Sequence, residues 1–239
     1  MKRKPAAPRR AQPRKTKPRK GIIRLLRWLV VAAFLLWAFA ALLLCSLRWI
    51  DPPTTVVQSQ RRVQSWFHKG PYKKQYAFVP LRQISPDLQH AVISAEDAHF
   101  YTHHGFDWEA LQKAAQEDWE GDRLRGGSTI TQQLVKNLLF GTGRSFLRKG
   151  AEATLVPVAE VVLGKQRILE LYLNVVEWGP GVYGAEAACR YHYKTSAKRI
   201  GREESARLAA ILPSPRRRRP ERMNNYSAVI LRRMSQVNW

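Results

Sequence analysis

Apolar and polar positions along this chain repeat mostly at helical spacing, and strand-like alternation is nearly absent. Residues 28–47, WLVVAAFLLWAFAALLLCSL, form an uncharged apolar run of about twenty residues, enough to cross a bilayer as a helix. In SPDLQHAVISAED, Leu88, Ala91, Val92 and Ala95 mark one helical face. Ser85 can cap that helix, Pro86 suits its first position and Asp87 its positive end. WEALQKAAQEDWEG, from Trp108, predicts a helix acting as scaffold or as a flap over a cleft. In RGGSTITQQLVKNLLF, Gly126-Gly127 breaks the chain and Thr129 with Gln132 fits a capping box. Ile130, Leu134, Leu138 and Leu139 then form a buried side, with Gln132, Gln133, Lys136 and Asn137 on a polar one.

Arg148 and Glu152 share a helix face in a segment that Pro157 should bend or end. A strong helix follows up to Asn174. Gly179, Pro180, Gly181 and Gly184 make a turn before an Ala-rich helix. EESARLAAIL, residues 203–212, is amphipathic and ends at Pro213 and Pro215. Arg216 to Arg219 read as a solvated basic loop, and a last helix starts near Arg222. The fold class is mainly α, with helices flanking a cleft.

Charge changes this picture at the N-terminus. The chain has 239 residues and a net charge of +23. Residues 1–20 hold ten Lys or Arg and no acid, so this arm should be disordered. With Arg24 and Arg27 it precedes the apolar run, which by the positive-inside rule places the N-terminus in the cytoplasm and the remainder across the membrane. The run continues through Leu42, Leu43 and Leu44, where a signal-peptide cleavage region would turn polar, so the anchor is retained. Cys45 sits in the span and Cys189 is the only other cysteine, so no disulfide forms within the exported part, and Cys189 reads as a small buried apolar residue.

After the Asp51-Pro52-Pro53 linker, Trp66, Phe67, Tyr72, Tyr76 and Phe78 mix with Arg and Lys. This composition suits a bilayer interface or a plain surface. Single-stranded nucleic acid would favour it too, but is not expected on that side of a membrane.

The densest chemistry lies in EDAHFYTHHGFD, Glu96 to Asp107. Partial burial, the negative end of a helix and Asp97 next door all push the Glu96 pKa up, toward what a general base needs. A solvated acidic helix end is the bland alternative. Ser128, Thr129 and Lys136 at a glycine-led helix start could receive a phosphate oxyanion, although the ending of a P-loop is missing. His99 and His103 stand four apart, without the glutamate of a zinc-protease motif.

Taken together, EDAHFYTHHGFD, GGSTITQQLVKN, RKGAE, the RILELYLN…WGPGVYG…AA segment and LAAILPSP resemble, in order, the five blocks of the peptidoglycan glycosyltransferase domain, family 51 of the glycosyltransferases. The resemblance covers roughly residues 80–215. It implies a lysozyme-like helical lobe plus a small membrane-associated jaw, preceded by one transmembrane helix. The implied division is a basic cytoplasmic arm (1–27), a transmembrane helix (28–47), a juxtamembrane linker (48–79) and the glycosyltransferase domain (80–239).

The activity implied is polymerisation of lipid II into β-1,4 glycan strands, with inversion and release of undecaprenyl diphosphate, in a bacterial inner membrane with the catalytic domain periplasmic. Glu96 would be the base that takes the proton of the sugar 4-hydroxyl, and Glu152 the second catalytic carboxylate. Asp97, Phe100, His103, Ser128, Thr129, Gln133, Lys136, Arg148 and Lys149 would form the substrate-binding set, with the last three cations on the diphosphates. The family allows a divalent ion, Mg2+ or Mn2+, near Glu96 or Glu152, and no organic cofactor.

The partners implied are lipid II, the lipid-linked growing strand and membrane lipids, with cell-division or elongation proteins beside them. Ala98-His99 is less basic than the family's usual pair there, and Gly150-Ala151 is a plain version of its spacer. The alternative activity is a glycan-cleaving, lytic enzyme built on a similar lobe. No serine is followed three residues later by lysine, so the transpeptidase nucleophile is missing.

Overall fold

The computed structural model describes residues 20–67, 72–119, 127–143 and 145–239; the basic arm before Lys20 and the Arg125-Gly126 part of the chain break lie outside them. Two compact units, residues 1–39 and Ala40–Trp239, are taken separately.

The described part of the first unit belongs to one helix, α1 (Lys20–Ser46), whose stretch Gly21–Ser46 is long and apolar enough to cross a membrane. At 1.5 Å per residue it measures roughly 39 Å, more than a hydrocarbon core of about 30 Å. Leu29, Phe34, Leu36 and Phe39 are exposed along it, which suits lipid rather than water.

The second unit is mainly helical. Its helices are α2 (Val56–Ser65), α3 (Pro86–Glu96), α4 (Trp108–Trp119), α5 (Ile130–Val135), α6 (Phe146–Val175), α7 (Ala185–Tyr193), α8 (Arg202–Ala209) and α9 (Asn224–Gln236). A π-helical turn, Lys136–Phe140, extends α5. The core gathers the predicted apolar faces: Leu88, Ala91 and Val92 of α3, Ile130 and Leu134 of α5, and Ile168, Leu169 and Tyr172 of α6 are all buried. α5 packs on α6, while α8 and α9 pack on α3.

Three expectations are corrected. Pro157 neither ends nor breaks α6; buried Leu155, Val156 and Ala159 hold the helix through it, and the interruption comes at Gly164, whose φ of +71° a glycine adopts freely. Ser85 stands at the N-cap of α3, but its side chain makes no capping bond. The aromatic–basic neck also divides. Trp66 and Phe67 are exposed, while the Tyr76 hydroxyl donates to the Pro52 carbonyl, Tyr72 meets Tyr183, and Phe78 lies under Arg167. Within the same stretch Thr55 caps α2, and Arg61 of α2 pairs with Glu177 at 3.2 Å.

The glycine-rich turn is a hairpin. Strands β2 (Glu177–Gly179) and β3 (Val182–Tyr183) pair antiparallel, and β1 (Gln75–Tyr76) joins β3 in parallel, giving the order β1-β3-β2. Such two- and three-residue strands are too short to show alternation in a sequence. Gly184 closes the hairpin at φ +86°, and a Cβ there would stand 2.6 Å from the Asn174 carbonyl oxygen. Gly184→Ala should therefore cost at least about 1–3 kcal/mol. Thermal unfolding of the purified variant checks this, and an unchanged midpoint would contradict it.

Candidate active site

The site grows from the end of α3. The helix stops at Glu96, and Asp97 leaves it with extended backbone, so two neighbouring carboxylates point into different surroundings. Asp97 turns inward. Its Oδ2 accepts the Ile130 N–H at the start of α5 (2.9 Å), and both of its oxygens lie within 3.0 Å of His103 Nε2. The Gly105 N–H donates to His103 Nδ1 (3.0 Å), which leaves the ring proton on Nε2, facing Asp97. The N-terminus of α5, read from sequence as a phosphate site, thus already holds an anion, and that anion is Asp97.

Thr129 caps the same helix with the predicted box and donates its hydroxyl to the Gly105 carbonyl at 2.7 Å. Phe100 and His103, grouped from the sequence with the substrate-binding residues, do not reach the cleft. Phe100 is wholly buried, with Lys165 Nζ over its ring and His103 against its edge. An unsubstituted ring following a helix end is stabilised more by core burial than by an open cleft. Together these residues tie the first block to α5 and α6.

Glu96 faces the other way, into a cleft of about 1010 Å3 lined by Ser128, Thr129, Gln133, Lys136 and Arg218 among others. Its Oε2 accepts from Gln133 Nε2 at 2.8 Å, and Gln133 Oε1 accepts from the Tyr172 hydroxyl at 3.0 Å. Burial, aided by the charges of Glu96 and Asp97, pushes the Tyr172 phenol well above its ordinary range. It stays protonated and fixes which way the Gln133 amide points. Burial also raises the Glu96 pKa; Gln133, Lys136 and Arg218 oppose it, and Asp97 adds to it. The residue is only partly exposed at the cleft wall, and one of its carboxylate oxygens has no protein donor among the described residues. That geometry offers a base with an available lone pair.

The cations follow. Burial lowers the Lys136 pKa, with Glu152 opposing and Arg148 and Lys149 adding. An anion in the cleft would recover the charge that burial disfavours. Glu152 is buried and uses both oxygens on cations, Arg148 Nη1 at 3.1 Å and Lys149 Nζ at 2.9 Å. The Arg148–Glu152 pair expected on one helix face is thus part of a triad with Lys149 whose charges reach Lys136, although none of its three members lines the cleft itself.

Of the two carboxylates near which an ion was expected, Glu152 spends both oxygens on Arg148 and Lys149, while Glu96 keeps one oxygen without a protein donor; among the described residues no three His, Cys, Asp or Glu side chains gather as metal ligands.

Sequence reasoning missed several cleft residues. Asp107 accepts from the Ala110 N–H and pairs with His99 at 2.8 Å, on the cleft rim with Lys113. Burial works against the charge on Asp107, but the Ala110 N–H and His99 outweigh it and hold that carboxyl below its ordinary range. Arg218, Tyr226 and Arg233 line the same cleft from the C-terminal region, where the run of arginines gave no sign of which one turns inward.

With this geometry in place, residues 61–236 match the family model described as Transglycosylase. A protein of Pseudomonas aeruginosa named biosynthetic peptidoglycan transglycosylase is 47% identical over 184 residues, covering 76% of this chain and 79% of the relative. Proteins of the same name from Pseudomonas putida (strain W619) and Pseudomonas entomophila are 45% identical over 217 residues and 46% over 195. They cover 89% and 80% of this chain, and 92% and 83% of their own lengths.

Proposed function

The chain belongs to the transglycosylase family; it is a peptidoglycan glycosyltransferase that makes glycan for the bacterial cell wall, and we propose that Glu96 is its general base. The substrates are lipid II and the growing glycan strand. The observation that carries the assignment is the Tyr172–Gln133–Glu96 chain, which fixes a carboxylate of raised pKa in a cleft bordered by Lys136.

Glu96 takes the proton from the 4-hydroxyl of the incoming sugar. That oxygen attacks the anomeric carbon of the lipid-linked strand from the face opposite its diphosphate. The anomeric carbon–oxygen bond breaks, its electron pair leaves with the diphosphate lipid, and the configuration inverts. Lys136, Arg148 and Lys149 stabilise the charge gathering on the leaving group, which fixed cations do best where little water competes. Glu152 positions Arg148 and Lys149 rather than touching substrate. Ser128 and Thr129 border the sugar path, Thr129 mainly through the cap that shapes it.

The basic arm ahead of α1 supports the topology: the N-terminus stays cytoplasmic, and the chain after Arg48 works at the outer face of the inner membrane, where lipid II is presented. Exposed Trp66, Phe67, Phe146 and Leu147 support contact with that lipid surface.

Gel-resolved polymerisation of purified lipid II tests the reaction, and degradation of finished wall without any polymerisation would refute it. The pH dependence tests the base. Because burial raises the Glu96 pKa, activity should fall as pH drops through a range above the ordinary glutamate value of about 4.3. An acidic limb of kcat/KM at or below that value would contradict the assignment.

A further inference from the structure

Arg218 was read from sequence as one residue of a solvated basic loop, yet it is the one of Arg216 to Arg219 that lines the Glu96 cleft. Its Nη1 donates to the Ala210 carbonyl at the end of α8 (2.9 Å), and its guanidinium carbon stands 5.8 Å from the centre of the Tyr226 ring. Arg216 lies 3.9 Å from Glu177 and Arg207 pairs with Glu203 at 2.7 Å, whereas among the described residues no carboxylate pairs with Arg218. Its Nε and Nη2 have no protein acceptor among those residues either. A guanidinium clamped from two sides, with donors to spare, is built to receive an anion.

The reaction itself brings two anionic lipid-linked sugars together. The donor gives up its diphosphate, and the acceptor keeps its own. If both dianions shared the Lys136 group they would repel one another strongly in a cleft where little water screens them. The cations divide accordingly. Lys136 follows α5 and stands with the Arg148–Lys149–Glu152 triad of α6, whereas Arg218 rests on α8 and α9, which pack against the other partner, α3. Glu96, at the end of α3, lies where the two groups meet and feels both charges.

We propose that Arg218, seated on Tyr226 and the Ala210 carbonyl, binds an anionic group of the sugar acceptor: its diphosphate or a carboxylate of its peptide stem. Lys136, Arg148 and Lys149 are then left to the departing diphosphate. This assignment rests on the glycosyltransferase reading of the cleft.

The test uses the full-length protein in detergent and labelled lipid II blocked at the sugar 4-hydroxyl, which can donate but not accept. With that donor saturating, unblocked lipid II is titrated as acceptor. Arg218→Ala should raise the acceptor KM about ten- to a hundredfold, the usual worth of a charged hydrogen bond, and leave kcat within about twofold. Arg218→Lys should recover part of the loss. Tyr226→Leu, which removes the seat, should shift KM the same way by less. Arg218→Gln, which keeps a donor for Ala210, serves if the alanine variant does not fold.

A stemless acceptor separates the two sources. An undiminished Arg218→Ala effect assigns the contact to the diphosphate, and a vanished one assigns it to the stem carboxylate. An unchanged acceptor KM, or a rise confined to the donor KM, overturns the proposal. If the wild-type protein makes no glycan from lipid II at all, the glycosyltransferase reading fails instead.

Discussion

Glu96→Gln is expected to slow glycan polymerisation by about two to four orders of magnitude, the usual worth of a general base, while the protein folds as before. The substitution is nearly isosteric. The Gln133 Nε2–H can donate to the new amide oxygen as it does to Glu96 Oε2, so the relay from Tyr172 survives. What disappears is the group that accepts the 4-hydroxyl proton. Stability should move the other way from activity. Burial raises the Glu96 pKa, so the folded state holds that proton more tightly than the unfolded one. Its stabilising share is fully present below the unfolded pKa and is lost as pH rises through the folded one.

At neutral pH the ionised carboxylate is therefore a liability that glutamine removes. The variant should unfold at a temperature equal to or above wild type, and the difference should vanish as pH falls through the carboxylate range. Initial rates on lipid II and thermal unfolding of the two proteins decide the matter. Wild-type rates in the variant would end the general-base assignment.

Much of this arrangement was legible in the sequence where a signal was local. The spacing of Leu88, Ala91 and Val92 gave α3 and put Glu96 at its end. Thr129 and Gln132 gave the box that starts α5. The raised Glu96 pKa followed from position alone, with burial as the leading cause. What stayed hidden depends on contacts far apart in the chain. Nothing near Asp97 announces that its partner is the Ile130 N–H, thirty-three residues on. Nothing near Gln133 announces Tyr172, and nothing among four consecutive arginines marks Arg218.

Pro157 misled for a related reason: a proline's local penalty was outweighed by burial of the residues around it, and the chain broke at Gly164 instead. The likeness of five ordered blocks supplied roles that periodicity alone could not, but it grouped Phe100 and His103 with substrate contacts when packing assigns them to support.

Asp97→Ala should produce the opposite outcome from its neighbour: a protein that loses stability together with its activity. Asp97 has a side chain only 1% exposed, and it accepts hydrogen bonds from a backbone N–H and from His103. Bonds to a charged group are worth about 1.5–3 kcal/mol each. Their removal also leaves the Ile130 N–H and the His103 Nε2–H buried without partners, so a total loss of roughly 3–5 kcal/mol is expected. Domains hold only about 5–15 kcal/mol in all, and at this size each kilocalorie shifts the midpoint by roughly 2–4 °C. The midpoint should therefore drop by about 6–20 °C.

Asp97→Asn should fall between, because one amide oxygen can still accept while the new NH2 group confronts a donor. His103→Ala should cost less than Asp97→Ala, since the Ile130 bond remains. Activity in Asp97→Ala should fail even at temperatures where the protein is folded, because Glu96 is held in place through the residue after it. If the midpoint stayed at the wild-type value while polymerisation vanished, Asp97 would be acting on substrate directly, and its place as the tie between the first block and α5 would have to be given up.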